Sequence, residues 1–77
     1  MRIISQDRKV DIPYDNAIIK INDAAQIITL IGERFVCLGS YKSLEDAQVV
    51  MRDIANNRMS YYLMPKEDKI DINGDRK

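Results

Sequence analysis

The chain has 77 residues, with 12 Lys plus Arg against 12 Asp plus Glu, one Cys and no His. That length holds one small domain, and the balanced charge supplies no global attraction to nucleic acid or to an anionic membrane. A single Cys excludes an internal disulfide, and the lack of His removes Ser-His and Cys-His catalysis and argues against a metal centre.

Arg2-Ile3-Ile4-Ser5 reads as a short strand, and Gln6-Asp7-Arg8-Lys9 as a polar turn. Val10-Asp11-Ile12 alternates as a strand, which Pro13 confines to an edge or a strand end. Tyr14-Asp15-Asn16 is a second break. Ala17 to Asn22 is rich in Ile and reads as a strand, with Asp23-Ala24-Ala25 as its turn. Residues 26–31 and 34–39 are strand-like runs joined by Gly32-Glu33. A two-residue Gly-X turn pairs Ile31 with Arg34, Leu30 with Phe35, Thr29 with Val36, Ile28 with Cys37 and Ile27 with Leu38.

Side chains alternate across a strand, so one face of this hairpin collects Ile28, Leu30, Phe35 and Cys37. The other collects Ile27, Ile31, Val36 and Leu38, broken by Thr29 and Arg34. Both faces are too apolar to be wet. Cys37, inside one of these runs, reads as a small core hydrophobe, and Gly39 as a strand end.

Ser43 opens a helix of about fifteen residues, roughly 22 Å long. It precedes Asp46 at capping-box spacing, and Glu45 and Asp46 put negative charge where the helix dipole favours it. Leu44, Ala47, Val50, Met51, Ile54 and Ala55 form one apolar stripe, and Asn56-Asn57 is the stop. Residues 59–64 return to strand composition before Pro65. The expected fold is therefore α+β. A small antiparallel meander of about five strands is packed by one amphipathic helix, and a further C-terminal strand follows. Residues 1–65 make the domain, and 66–77 a charged, flexible tail.

Catalytic patterns are missing. Ser5, Ser40, Ser43 and Ser60 have no neighbouring base, and Ser43 is a helix cap. The adjacent carboxylates Glu45-Asp46 and Glu67-Asp68 read as solvated. Gly32, Gly39 and Gly74 are not grouped to cradle phosphate. Asp71-Ile72-Asn73-Gly74-Asp75 lacks the spacing and closing Glu of a calcium loop. The expectation is a protein that is not an enzyme and carries no cofactor or metal. The basic pairs Arg8-Lys9 and Arg76-Lys77 have acidic neighbours, which argues against nucleic acid as a partner. No run reaches the length of a signal peptide or a membrane span, which places the protein in the cytoplasm with no membrane partner.

The opening MRIISQDRKVDIPYD resembles the start of a group of small uncharacterised proteins from Firmicutes and their phages or mobile elements. These commonly open with an MRIISQDG-like segment and then an Ile-Asp-Ile-Pro-Tyr-Glu-like one. Here Arg8 stands at the Gly position and Asp15 at the Glu position. The likeness continues through Leu38-Gly39-Ser40-Tyr41, the helix that begins Ser43-Leu44-Glu45-Asp46-Ala47, and Tyr61-Tyr62-Leu63-Met64-Pro65-Lys66-Glu67-Asp68. It implies a phage or mobile-element origin, and no activity or catalytic residue.

One helix covers one sheet face. The second must be covered by the chain itself or by another molecule, and a chain of zero net charge offers little repulsion against self-association. The expected function is a small phage or mobile-element binding protein that forms a homo-oligomer in the host cell and acts on a host protein, for example as a defence-system inhibitor or a regulator. Ile27, Ile31, Val36 and Leu38 are the expected interface, with Tyr61 and Tyr62, since tyrosine buries a ring while keeping a polar end. The alternative is an oligomeric sponge for a small ligand such as a signalling nucleotide. There Arg8, Lys9, Arg34, Arg52 or Arg58 would meet phosphates.

Overall fold

The structure, a computed structural model, describes residues 1–67. Its elements in chain order are β1 (Arg2–Ile4), β2 (Asp11–Pro13), β3 (Ile19–Ile21), β4 (Gln26–Ile31), β5 (Arg34–Ser40), α1 (Leu44–Asn56) and β6 (Tyr61–Leu63). The class is α+β, as the composition of the segments implies. The strands do not form one meander. They divide into two three-stranded sheets, ordered β2-β1-β6 and β3-β4-β5.

The division has a local and a long-range cause. Between β2 and β3 the chain turns at Tyr14–Ala17, where Ala17 N–H donates to Tyr14 O (3.0 Å) and Asn16 takes a left-handed φ of 68°. Asn tolerates that region better than most residues. β3 thereby leaves the first sheet. After α1 the chain comes back beside β1, and β6 pairs with it in parallel, Ile3 opposite Tyr62. Pro13 is accommodated because β2 is an edge strand.

Ser43 caps α1 as its spacing requires, its Oγ accepting from Asp46 N–H at 3.1 Å, and Asn57 is the C-cap. Ala47, Val50 and Ile54 bury the helix stripe, whereas Leu44 lies in the first turn and is exposed. The helix packs on β3 and β4. Ile3 and Ile12 of the first sheet, Ile27 and Leu38 of the second, the three helix residues, Tyr41 and Met64 make one core. Fully burying a side chain of this size contributes about 1.5–3 kcal/mol.

The β4-β5 turn has Gly32 at φ 64°, while Glu33 keeps an ordinary negative φ. This is the conformation a Gly-X hairpin turn needs. The expected register holds from Ile31 opposite Arg34 to Ile28 opposite Cys37. A bulge then intervenes, and Ile27 faces Gly39, not Leu38. Gly39 lies within β5 instead of ending it. A Cβ there would sit 2.7 Å from the Tyr41 hydroxyl, so the close approach of Tyr41 demands glycine.

Candidate functional site

The two faces of the β3-β4-β5 sheet have different fates. α1 covers the side bearing Ile27 (0 % exposed) and Leu38 (1 %), both in the intramolecular core. Thr29 shares that side and is buried as well, its Oγ1 donating to Ile18 O at 2.9 Å. A hydroxyl that finds a carbonyl is compatible with a dry face. Ile27 and Leu38 are therefore not surface residues, which corrects their place in the expected interface. Alternation already puts Leu38 on the side of Ile27, and that side is the one packed into the core with α1. Ile31 stands near the hairpin tip, beyond this core, at 45 % exposure, and Val36 is half-buried.

The opposite side is left only partly covered. Phe35 is 52 % exposed and Ile18, in line with Leu30, is 56 % exposed. Leu30 is half-buried beside them. Leu30 pairs with Phe35 across the hairpin, and the Leu30 N–H donates to Ile18 O at 3.2 Å. These three residues thus lie side by side across β4, β5 and the residue before β3 as an apolar stripe. The Lys20 ammonium lies 4.8 Å from the Phe35 ring centroid, a cation-π contact on the same face. Ile28, opposite Lys20, is buried. Cys37 is exposed, not a core residue, and partial desolvation of its sulfur, then the charge of Asp7, pushes the thiol up.

Besides a smaller cleft of about 120 Å³ between Gln6, Asp7 and the far half of β5, two clefts adjoin the sheet. One, about 220 Å³, runs between the sheets past Ile12, Pro13, Ala17, Leu30 and Ile31. The other, about 190 Å³, lies between β3 and the far half of α1. Their linings are mainly apolar and suit aliphatic or aromatic groups better than phosphate.

The candidate phosphate ligands are dispersed. Arg8 and Lys9 lie in the β1-β2 turn, Arg34 at the hairpin tip, Arg52 on α1 and Arg58 after it. None lines the two clefts. The Arg8 guanidinium donates to Ser5 O (3.1 Å) and Met64 O (3.0 Å) and so serves the fold.

The tyrosines divide likewise. Tyr61 is exposed and Tyr62 packs on the core, on opposite faces of β6. Tyr41 is buried and its hydroxyl donates to Pro65 O at 2.8 Å. Burial pushes the Tyr62 phenol up to about 12, with Asp53 adding to the shift. Burial pushes Tyr41 up too.

Asp46 is buried at the start of α1 and not solvated. Glu67 lies beside it and accepts from Lys42 N–H at 2.7 Å, and its contact with Asp46 pushes the Glu67 carboxyl up. Ser5 Oγ donates to Asp7 at 2.6 Å and accepts from Lys9 N–H and Val10 N–H, a turn-closing role. Among the described residues no group of three or more acidic or Cys side chains is arranged to hold a metal ion. No helix among them is long and apolar enough to cross a membrane. The expected tail from residue 68 onward and the calcium-like segment lie outside the described residues.

Ile18, Lys20, Leu30 and Phe35 are the surface residues that sequence reasoning missed. The usable signal was Lys20. Once β3 and β4 are paired, a strand-centre lysine opposite Ile28 marks that side as the wetter one. Comparison with protein-family models, with curated proteins and with solved structures gives no match.

Proposed function

We propose that the protein is a small non-enzymatic binding protein of a phage or mobile element. It self-associates through the β3-β4-β5 sheet and holds a host protein against the partly covered face of that sheet in the host cytoplasm, as a defence-system inhibitor or a regulator would. The observation that carries this reading is the exposure of Ile18 and Phe35 beside the half-buried Leu30, on the side of the sheet away from α1. Covering those side chains would contribute roughly 1.5–3 kcal/mol for each one fully buried, before the costs of association. The resemblance of the opening MRIISQDRKVDIPYD to proteins of Firmicutes phages and mobile elements supports the origin. The structural duties of Ser5 and Ser43 support a non-catalytic role.

Light scattering over a concentration series, with a thermal-shift screen against cyclic nucleotides, tests the proposal. Growth in mass with concentration and no nucleotide shift are expected. A strict monomer would contradict self-association. A marked nucleotide shift would move the reading to a small-ligand sponge.

A further inference from the structure

We infer that a second copy of this chain pairs with β5, antiparallel and about a two-fold axis at Phe35, to make one six-stranded sheet. The inference rests on the self-association proposed above and says which edge carries it. Among the described residues the sheets have four edge strands, and three are guarded. β2 carries Pro13 and the Arg2–Asp11 ion pair (2.7 Å). β3 has three residues with Lys20 at its centre, and β6 has three and runs at once into Met64-Pro65. Short strands, prolines and lysines are the usual means of blunting an edge. β5 is a seven-residue strand with none of them between Phe35 and Cys37.

The hairpin fixes which groups on that edge are free to pair. In a two-residue hairpin Ile31–Arg34 and Thr29–Val36 exchange hydrogen bonds, while Leu30–Phe35 and Ile28–Cys37 do not. The backbone N–H groups of Phe35 and Cys37 therefore point away from β4. The edge closes at Leu38, whose carbonyl accepts from Gln6 N–H at 2.7 Å. That stop selects the register. A pairing centred on Phe35 spans only Glu33 to Cys37, whereas one centred further along would run into Gln6.

The same register brings Lys20 of each copy toward Glu33 of the other, although Asp7 beside Cys37 is a like charge to that Glu33. Phe35 stands opposite Phe35 of the second copy, and Glu33 opposite its Cys37. Each Glu33, in the turn next to the ladder, then comes close to the other copy's Phe35. The Lys20 ammonium lies 4.8 Å from that ring. Two Lys20–Glu33 pairs thus form across the axis, as an isologous contact requires. The pairing leaves the faces of both sheets open, so the Ile18, Leu30 and Phe35 stripes of the two copies join into one surface for the host protein.

Hydrogen exchange of the full chain at rising concentration, read beside sedimentation, tests the pairing. Protection of the Phe35 and Cys37 amides that rises with concentration is expected, with Val36 protected throughout. Lys20→Glu and Glu33→Lys should each weaken dimerisation about tenfold, and the double variant should restore it. A dimer whose Phe35 and Cys37 amides exchange as in the monomer would overturn the β5 pairing alone, as would a double variant no tighter than the singles. A chain that stays monomeric would overturn self-association as well.

Discussion

The Gln6 carboxamide meets the peptide groups of Ser40 on both sides. Its Oε1 accepts from Ser40 N–H at 3.0 Å and its Nε2 donates to Ser40 O at 3.3 Å. The same Nε2 also donates to Pro65 O at 3.0 Å. A side chain from the turn after β1 thus does the work of a strand, tying β5 to the segment after β6. It is a main link between two sheets that, among the described residues, share no backbone ladder. Gln6→Ala removes all three bonds. It should lower stability by about 1–3 kcal/mol, seen as a lower denaturant midpoint, with the Ser40 amide exchanging faster.

Arg8 combines a strained backbone with useful side-chain bonds. Its φ is 66°, in the left-handed region that costs a non-glycine residue about 1–2 kcal/mol. Glycine there relieves the backbone and loses the bonds to Ser5 O and Met64 O. Alanine loses the bonds and keeps the strain. Arg8→Gly should therefore be more stable than Arg8→Ala by about 1 kcal/mol, measured by urea unfolding. Equal midpoints would contradict the strained turn.

The two sides of the hairpin should respond to substitution in opposite ways. Ile27→Ala opens a cavity beneath α1 and should cost about 2–5 kcal/mol of stability. Phe35→Ser lies on the partly covered side and should change stability by less than about 1 kcal/mol. Thermal melts of the two variants check this directly.

Alkaline pH should loosen the domain. The Tyr62 phenol is pushed up to about 12 by burial and then by Asp53, while a tyrosine of the unfolded chain ionises near ~10. Above that lower value the unfolded chain holds fewer protons than the folded one, so unfolding is favoured as pH rises. The stabilisation is complete below pH ~10 and drains away as pH climbs through the folded value. Tyr41, raised by burial first and by Tyr62 next, adds in the same direction. Denaturant midpoints should fall from about pH 10 upward, and Tyr62→Phe should fall less steeply than the parent.

The parts of the fold that were legible in the residues are those determined locally. Ser43 and Asp46 cap α1 by their own spacing, and Gly32 supplies the positive φ that sets the hairpin register as far as Cys37. The bulge after Cys37 was not legible. It depends on Tyr41 lying against Gly39 and on Gln6 reaching Leu38 from a distant turn. The division into two sheets was hidden for a similar reason, because β6 finds β1 across most of the chain. Of the candidate site, Ile31 and Tyr61 are on the surface, while Ile27 and Leu38 went to the core. Alternation identifies two apolar faces. Which one α1 covers depends on the buried Thr29–Ile18 hydrogen bond and on Lys20, both properties of the β3-β4 pairing.

Sedimentation velocity over a concentration series, with the parent chain beside a Phe35→Pro variant of matched helical content, tests the central claim most directly. The Phe35 N–H points away from β4, so proline there blunts the β5 edge and spares the hairpin bonds. Self-association through the β3-β4-β5 sheet predicts a sedimentation coefficient that rises with concentration for the parent and stays at the monomer value for the variant. A parent chain that remains monomeric at the highest concentration, or a variant that assembles as the parent does, would contradict it.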